Sequence, residues 1–168
     1  MQNGTCGRCG KSFIRPERQR GPLERFWSLL SVYPFRCQLC THRFFRFRWN
    51  RRHTKSWANN DRRRYDRLNV NFPLTVMLDI ARTLDGEALD LTVRGCAVQS
   101  TKRLPEGLLV GLRLRPSPHE PPIEIAWAVV QTILPQGFGL YFASIDPADE
   151  ERLRSHVESL FVATAATA

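Results

Sequence analysis

No stretch of this 168-residue chain approaches the roughly 18–20 consecutive apolar residues that a membrane-spanning helix needs. Its first residues, MQNGTCGRCG, lack the apolar region of a signal peptide. Both absences point to a soluble, cytoplasmic protein. Acidic residues are scarce in one half only. Residues 1–67 carry 17 Lys and Arg against 4 Asp and Glu, a net +13, whereas residues 68–168 carry 8 against 12, a net −4. The overall +9 is therefore the sum of two unlike parts that meet near residue 67. Histidine is sparse: His42, His53, His119 and His156 show neither metal-ligand nor triad spacing. The carboxylates fall mainly in expected turns and near the end. No catalytic constellation emerges, and an enzyme is not expected. No internal repeat is visible.

What is present begins with cysteine. Cys6 and Cys9 form one C-x-x-C, and Cys37 and Cys40 form another. Each such turn offers two thiolates to one ion, and zinc takes four in a tetrahedron. A long loop between the two knuckles is no obstacle, because loop-closure cost rises slowly with length. In a reducing compartment a metal site is favoured over disulfides. Zinc is the expected ion, and iron in a rubredoxin-like site is its chemical rival. Four cysteines leave no open position for water or substrate, so the role is structural. Gly7 and Gly10 suit the first turn; Gln38 and Thr41 make the second less typical. His42, close to Cys40, is a reserve ligand. The segment resembles a zinc ribbon over about residues 4–50.

Between the knuckles Pro22 opens an expected helix, with Leu23, Phe26, Trp27 and Leu30 on one face. That face is expected to cover the metal site or to dock on the other domain, rather than to lie on a membrane. After Cys40, HRFFRFRWNRR reads as a strand with Phe45, Phe47 and Trp49 on one side and Arg46 and Arg48 on the other. Such a strand is expected to bury its aromatic side. Nucleic-acid binding is the alternative, since interleaved aromatics and arginines can stack bases and hold phosphates. Residues 51–60 read as a basic linker with a turn or hinge at Asn59 and Asn60.

From Leu68 onward, short strands follow one another between Gly, Pro and Asp clusters. LNVNFPLTVML, EALDLTVRGCAVQS, LLVGLRLRP, IEIAWAVVQTI and GFGLYFASI read as strand segments. Leu89, Leu91 and Val93 alternate until Gly95 interrupts them. This spacing predicts a closed or sandwich-like antiparallel sheet. DPADEERLRSHVESLFVA then predicts an amphipathic helix capped by Asp146, with Leu153, Val157, Leu160 and Phe161 packed on the sheet. Cys96, the fifth cysteine, is expected as a small buried packing residue.

The stretch DRRRYDR, Asp61 to Arg67, stands just before the first of these strands. Arg63 and Arg67 form R-x-x-x-R, and Asp90, Thr92 and Gly95 form D-x-T-x-x-G after the second strand segment. In order, spacing and context the two motifs resemble those of the PilZ domain, a family of cyclic di-GMP receptors, over residues 60–162. Threonine stands where the family pattern has serine. The resemblance implies an antiparallel PilZ-like β-barrel with a C-terminal helix at residues 61–162, between the 51–60 linker and a tail at 163–168. The zinc-ribbon-like module takes residues 1–50.

It further implies cyclic di-GMP as regulatory ligand, held by Arg63, Arg67, Asp90, Thr92 and Gly95. Arg62 occupies the position before the first matched arginine, where family members differ in binding one nucleotide or a stacked pair. Elementary chemistry agrees. A guanidinium chelates phosphate and stacks on purine, while a carboxylate accepts from the guanine edge. The expected function is a signalling receptor whose ligand orders the arginine linker and changes a contact with a protein target. Two alternatives stay open: a zinc-ribbon nucleic-acid-binding protein, and a PilZ-like scaffold that no longer binds nucleotide.

Overall fold

The computed structural model describes residues 4–47, 64–79 and 81–166. They form two compact units that part between Asp66 and Arg67. The charge asymmetry of the sequence changes sign at the same place.

In the first unit three antiparallel strands form one sheet in the order β1-β2-β3. They are β1 (Ile14–Pro16), β2 (Val32–Cys37) and β3 (Arg43–Phe47). Helix α1 (Gly21–Leu29) joins β1 to β2, with Pro22 in its first turn as expected. Its orientation is not as expected. No residue of α1 is buried, and Leu23, Phe26, Trp27 and Leu30 are all exposed. The apolar face therefore does not cover the cysteine cluster. The helix is tied down at the flank of that face: Glu24 accepts two hydrogen bonds from the guanidinium of Arg43, at 2.9 and 2.7 Å.

Strand β3 does not bury its aromatic side either. Phe45 and Phe47 are exposed, contrary to the expected buried aromatic side. Arg43 shares their face, pairs with Glu17 and Glu24 and stands 5.2 Å over the Phe45 ring, while Phe44 on the other face stacks on Phe35 and His42. Arg48, Trp49 and the hinge at Asn59 and Asn60 lie outside the described residues.

Glu17 is the hub of this unit. It is 8% exposed and pairs with Arg20, Arg36 and Arg43 at 2.6–3.0 Å. Burial alone would raise its pKa. The hydrogen bonds and charge of Arg36, joined by those of Arg20, outweigh burial and hold it below the usual carboxylate value.

The second unit is a closed antiparallel barrel in the order β4-β5-β6-β9-β8-β7. Its strands are β4 (Leu68–Met77), β5 (Thr83–Thr92), β6 (Gly95–Gln99), β7 (Leu109–Leu114), β8 (Ile123–Leu134) and β9 (Gly137–Ser144). Alternation fills the interior: Phe72, Leu74 and Val76 from β4 meet Val110, Leu112 and Leu114 from β7. Phe138, Leu140 and Phe142 of β9 complete it.

The register of β5 slips between Ala88 and Asp90, a bulge that makes Leu89 the extra residue. Leu84 and Ala88 point inward before it, and Leu91 and Val93 after it, so Leu89 turns outward at 39% exposure. The simple alternation of Leu89 with Leu91 thus fails there. The phase change leaves Asp90 and Thr92 outside the core. Helix α2 (Pro147–Ala166) buries Leu153 and Val157, with Asp146 accepting from the Ala148 N–H at 3.0 Å. It runs on to Ala166, three residues past the expected helical stretch, as its alanines favour helix.

A depressed carboxylate pKa contributes stability that is present above its ordinary value of about 4.5 and is lost as pH falls through the lowered one. Glu17→Gln should therefore cost the first unit roughly 2–4 kcal/mol at neutral pH, by stranding buried guanidinium groups. Denaturation of the parent and the variant as a function of pH should show this gap closing in acid.

Candidate functional site

Two groups of residues bear chemistry, one in each unit. In the first, Cys6, Cys9, Cys37 and Cys40 bring their sulfurs within 4.8 Å of one another. Cys6 and Cys40 are 3.5 Å apart, and Cys9 and Cys37 are 3.6 Å apart. Those separations are far beyond a disulfide bond of about 2.05 Å. They are close to the roughly 3.8 Å edge of a tetrahedron with metal–sulfur bonds near 2.3 Å.

The knuckle backbones are shaped for this. The Arg8 N–H donates to Cys6 Sγ at 3.4 Å, and the Cys40 N–H donates to Cys37 Sγ at 3.5 Å. Thr41 closes the second knuckle in the left-handed region at φ 59°, and its carbonyl accepts from Arg36 at 2.7 Å. Burial pushes the Cys6 thiol up, but the Cys9 and Arg8 amides and the side chains of Cys40 and His42 bring it down to about 6. Cys40 is pushed up to about 12, by burial and by its three sulfur neighbours. One thiol is thus readily ionised, and a cation would draw the remaining protons off. His42 stands near Cys6 but is not one of the four converging groups. The donor set suits a four-coordinate thiolate ion such as zinc.

In the second unit, Arg67 opens the barrel, one residue before β4. Its Nη1 donates to Asp90 Oδ2 at 2.9 Å. The other Asp90 oxygen, Oδ1, accepts from the Ala97 N–H at 2.8 Å, which fixes the carboxylate at the bulge. Thr92 Oγ1 accepts from the Arg94 N–H and donates to the Gly95 carbonyl, both at 3.1 Å, so it pins the two-residue turn from β5 to β6. Gly95 is required by close approach: a Cβ there would lie 2.2 Å from the carbonyl oxygen of Leu140 on β9.

Arg67, Asp90, Thr92 and Gly95 are therefore brought together at one end of β5. Arg62 and Arg63 lie outside the described residues. Arg67 is 44% exposed and Asp90 17%, so the pair faces outward. Its guanidinium keeps N–H donors beyond the one given to Asp90.

The PilZ domain model matches residues 61–159. The chain belongs to the PilZ family. The six-stranded barrel with its C-terminal helix agrees with that assignment, and the four-cysteine module precedes it. Among solved structures, the Bacillus subtilis inhibitor of motility MotI/DgrA is similar at 16% identity and a TM-score of 0.49. That similarity covers 74% of this chain and 62% of the other. No curated protein sequence matches. Among the described residues, no helix is long and apolar enough to cross a membrane.

Sequence reasoning overlooked Glu17 and the purpose of Gln38, both buried polar residues of the first unit. A lone glutamate amid arginines, as Glu17 is between Arg15 and Arg18, was the available signal.

Gly95→Ala should destabilise the barrel, by an amount set by how far β9 can retreat, typically about 1–3 kcal/mol for overpacking. Thermal unfolding checks it. Cys37→Ser should abolish metal uptake, measured as one ion per chain in the parent, and should unfold the first unit while the barrel transition persists.

Proposed function

We propose that this chain is a cyclic di-GMP receptor of the cytoplasm, not an enzyme, in which Arg67 and Asp90 form the anchored half of the nucleotide site. The single observation that supports it most is the outward-facing Arg67–Asp90 pair at the β5 bulge, set on the two motifs of the family. The pair offers a phosphate-chelating guanidinium beside a carboxylate that can accept from a guanine edge. Thr92 supports the turn through its hydroxyl, the function that serine would share. Arg63, with Arg62 beside it, supplies the second cationic arm. The phosphates of the ligand offset the repulsion within DRRRYDR and order Arg62 and Arg63, and a contact with a target protein changes in response. Zinc, held by Cys6, Cys9, Cys37 and Cys40, is structural.

A nucleic-acid reading draws on one observation, the exposure of Phe45 and Phe47 on β3. Against it, Arg15, Arg20, Arg36 and Arg43 of the same unit are engaged by carboxylates. Those guanidinium groups would have to give up their partners to reach phosphates.

Calorimetric titration with cyclic di-GMP, with GMP and a DNA duplex as controls, tests the proposal. The parent should bind cyclic di-GMP selectively. Arg67→Ala should lose roughly 2–5 kcal/mol of binding free energy with little change in barrel stability. Unchanged binding by that variant would overturn the site, and equal binding of GMP would reduce it to a general anion patch.

A further inference from the structure

Gln38 lies between Cys37 and Cys40, inside the second knuckle, and is only 3% exposed. A glutamine buried this deeply needs partners for both ends of its amide. It finds them on the chain that leads into Arg67. Its Oε1 accepts from the backbone N–H of Asp66 at 2.8 Å. An N–H can only donate, so this bond fixes which way the amide faces. The Nε2 then points to the carbonyl oxygens of Arg64 at 3.4 Å and Arg36 at 3.5 Å.

Two further contacts within the same unit secure the segment. Arg15 on β1 pairs with the Asp66 carboxylate. The Arg36 guanidinium stands 6.0 Å from the centre of the Tyr65 ring. Residues 64–66 are thus held on the sheet and knuckle of the cysteine module, and the next residue is the arginine that pairs with Asp90.

We infer that Gln38 is a positioning residue through which metal occupancy of the four-cysteine cluster sets the affinity of Arg67 for nucleotide. The inference rests on the nucleotide reading of Arg67 and Asp90 given above. The coupling runs along the covalent chain. With metal bound, the Cys37–Cys40 turn is closed, Gln38 is fixed, and the backbone of residues 64–66 is already ordered when ligand arrives. Without metal the turn opens, its hydrogen bonds to Arg64 and Asp66 go, and that ordering entropy must be supplied at the moment of binding. The module then acts as a metal-dependent amplifier of the nucleotide response. By linkage, nucleotide must also tighten the hold on the metal by the same factor.

The test uses the full chain. Affinity for cyclic di-GMP is measured by calorimetry on zinc-loaded parent, chelator-stripped parent, zinc-loaded Gln38→Leu and zinc-loaded Arg15→Ala, each with zinc content assayed. The variants keep all four cysteines and all residues of the nucleotide site. Stripped parent and both variants should bind about tenfold more weakly than zinc-loaded parent, within the usual range of coupling between sites. Saturating cyclic di-GMP should slow zinc transfer to a colorimetric chelator in the parent more than in either variant. Should Gln38→Leu fail to retain zinc, Arg15→Ala, which lies outside both knuckles, decides the matter provided its zinc content matches the parent's. Zinc-loaded variants that match the parent in affinity and in zinc release overturn the coupling and leave the nucleotide reading standing. A zinc-loaded parent that does not bind cyclic di-GMP overturns the nucleotide reading, and the coupling falls with it.

Discussion

The first unit depends on the convergence of its four thiols. Among its described residues, the buried apolar side chains are Cys6, Tyr33, Phe35, Cys37 and Leu39. So small an interior cannot offset the conformational entropy of ordering a three-stranded sheet and a helix. An ion held by both knuckles would contribute what packing cannot. Everything else in the unit fits around that closure. Glu17 gathers Arg20, Arg36 and Arg43 beneath the sheet, and Thr41 accepts a left-handed backbone so that the second knuckle can turn.

The barrel was legible because its determinants are local. Period-two alternation in β4, β7 and β9, with glycine and proline between strands, predicts closed antiparallel pairing with little need for long-range information. The two motifs that resemble the family's were readable too, since Arg67, Asp90, Thr92 and Gly95 keep a fixed order and meet at one end of β5. The phase of β5 was not. A bulge depends on the partner strand, and Leu89 alternates perfectly with Leu91 in the sequence while facing the other way in the barrel.

The same limit explains the first unit. Periodicity showed that α1 has an apolar face, and that β3 has an aromatic side and a basic one. It could not show which side each element turns inward. The ion pairs that tie Glu17 and Glu24 to Arg43 join residues distant in sequence, and in β3 they lie on the same face as the exposed Phe45 and Phe47. Where an apolar interior is small, contacts to residues far along the chain carry what the pattern of one element cannot show. Gln38 belongs to this class: as one residue it looks like an irregular knuckle, and its purpose lies in a backbone far along the chain.

Cys96 sits on β6 at 4% exposure, and burial, with the charge of Asp90, pushes its thiol far above the ordinary value. A thiolate-seeking reagent cannot reach it while the barrel is closed. The other four cysteines belong to the cluster. The chain therefore carries two chemical clocks in one residue type. Alkylation of four sulfurs times the opening of the cysteine module, and alkylation of the fifth times the opening of the barrel. A single mass spectrum, read in steps of one added label, orders the two events in the same molecule.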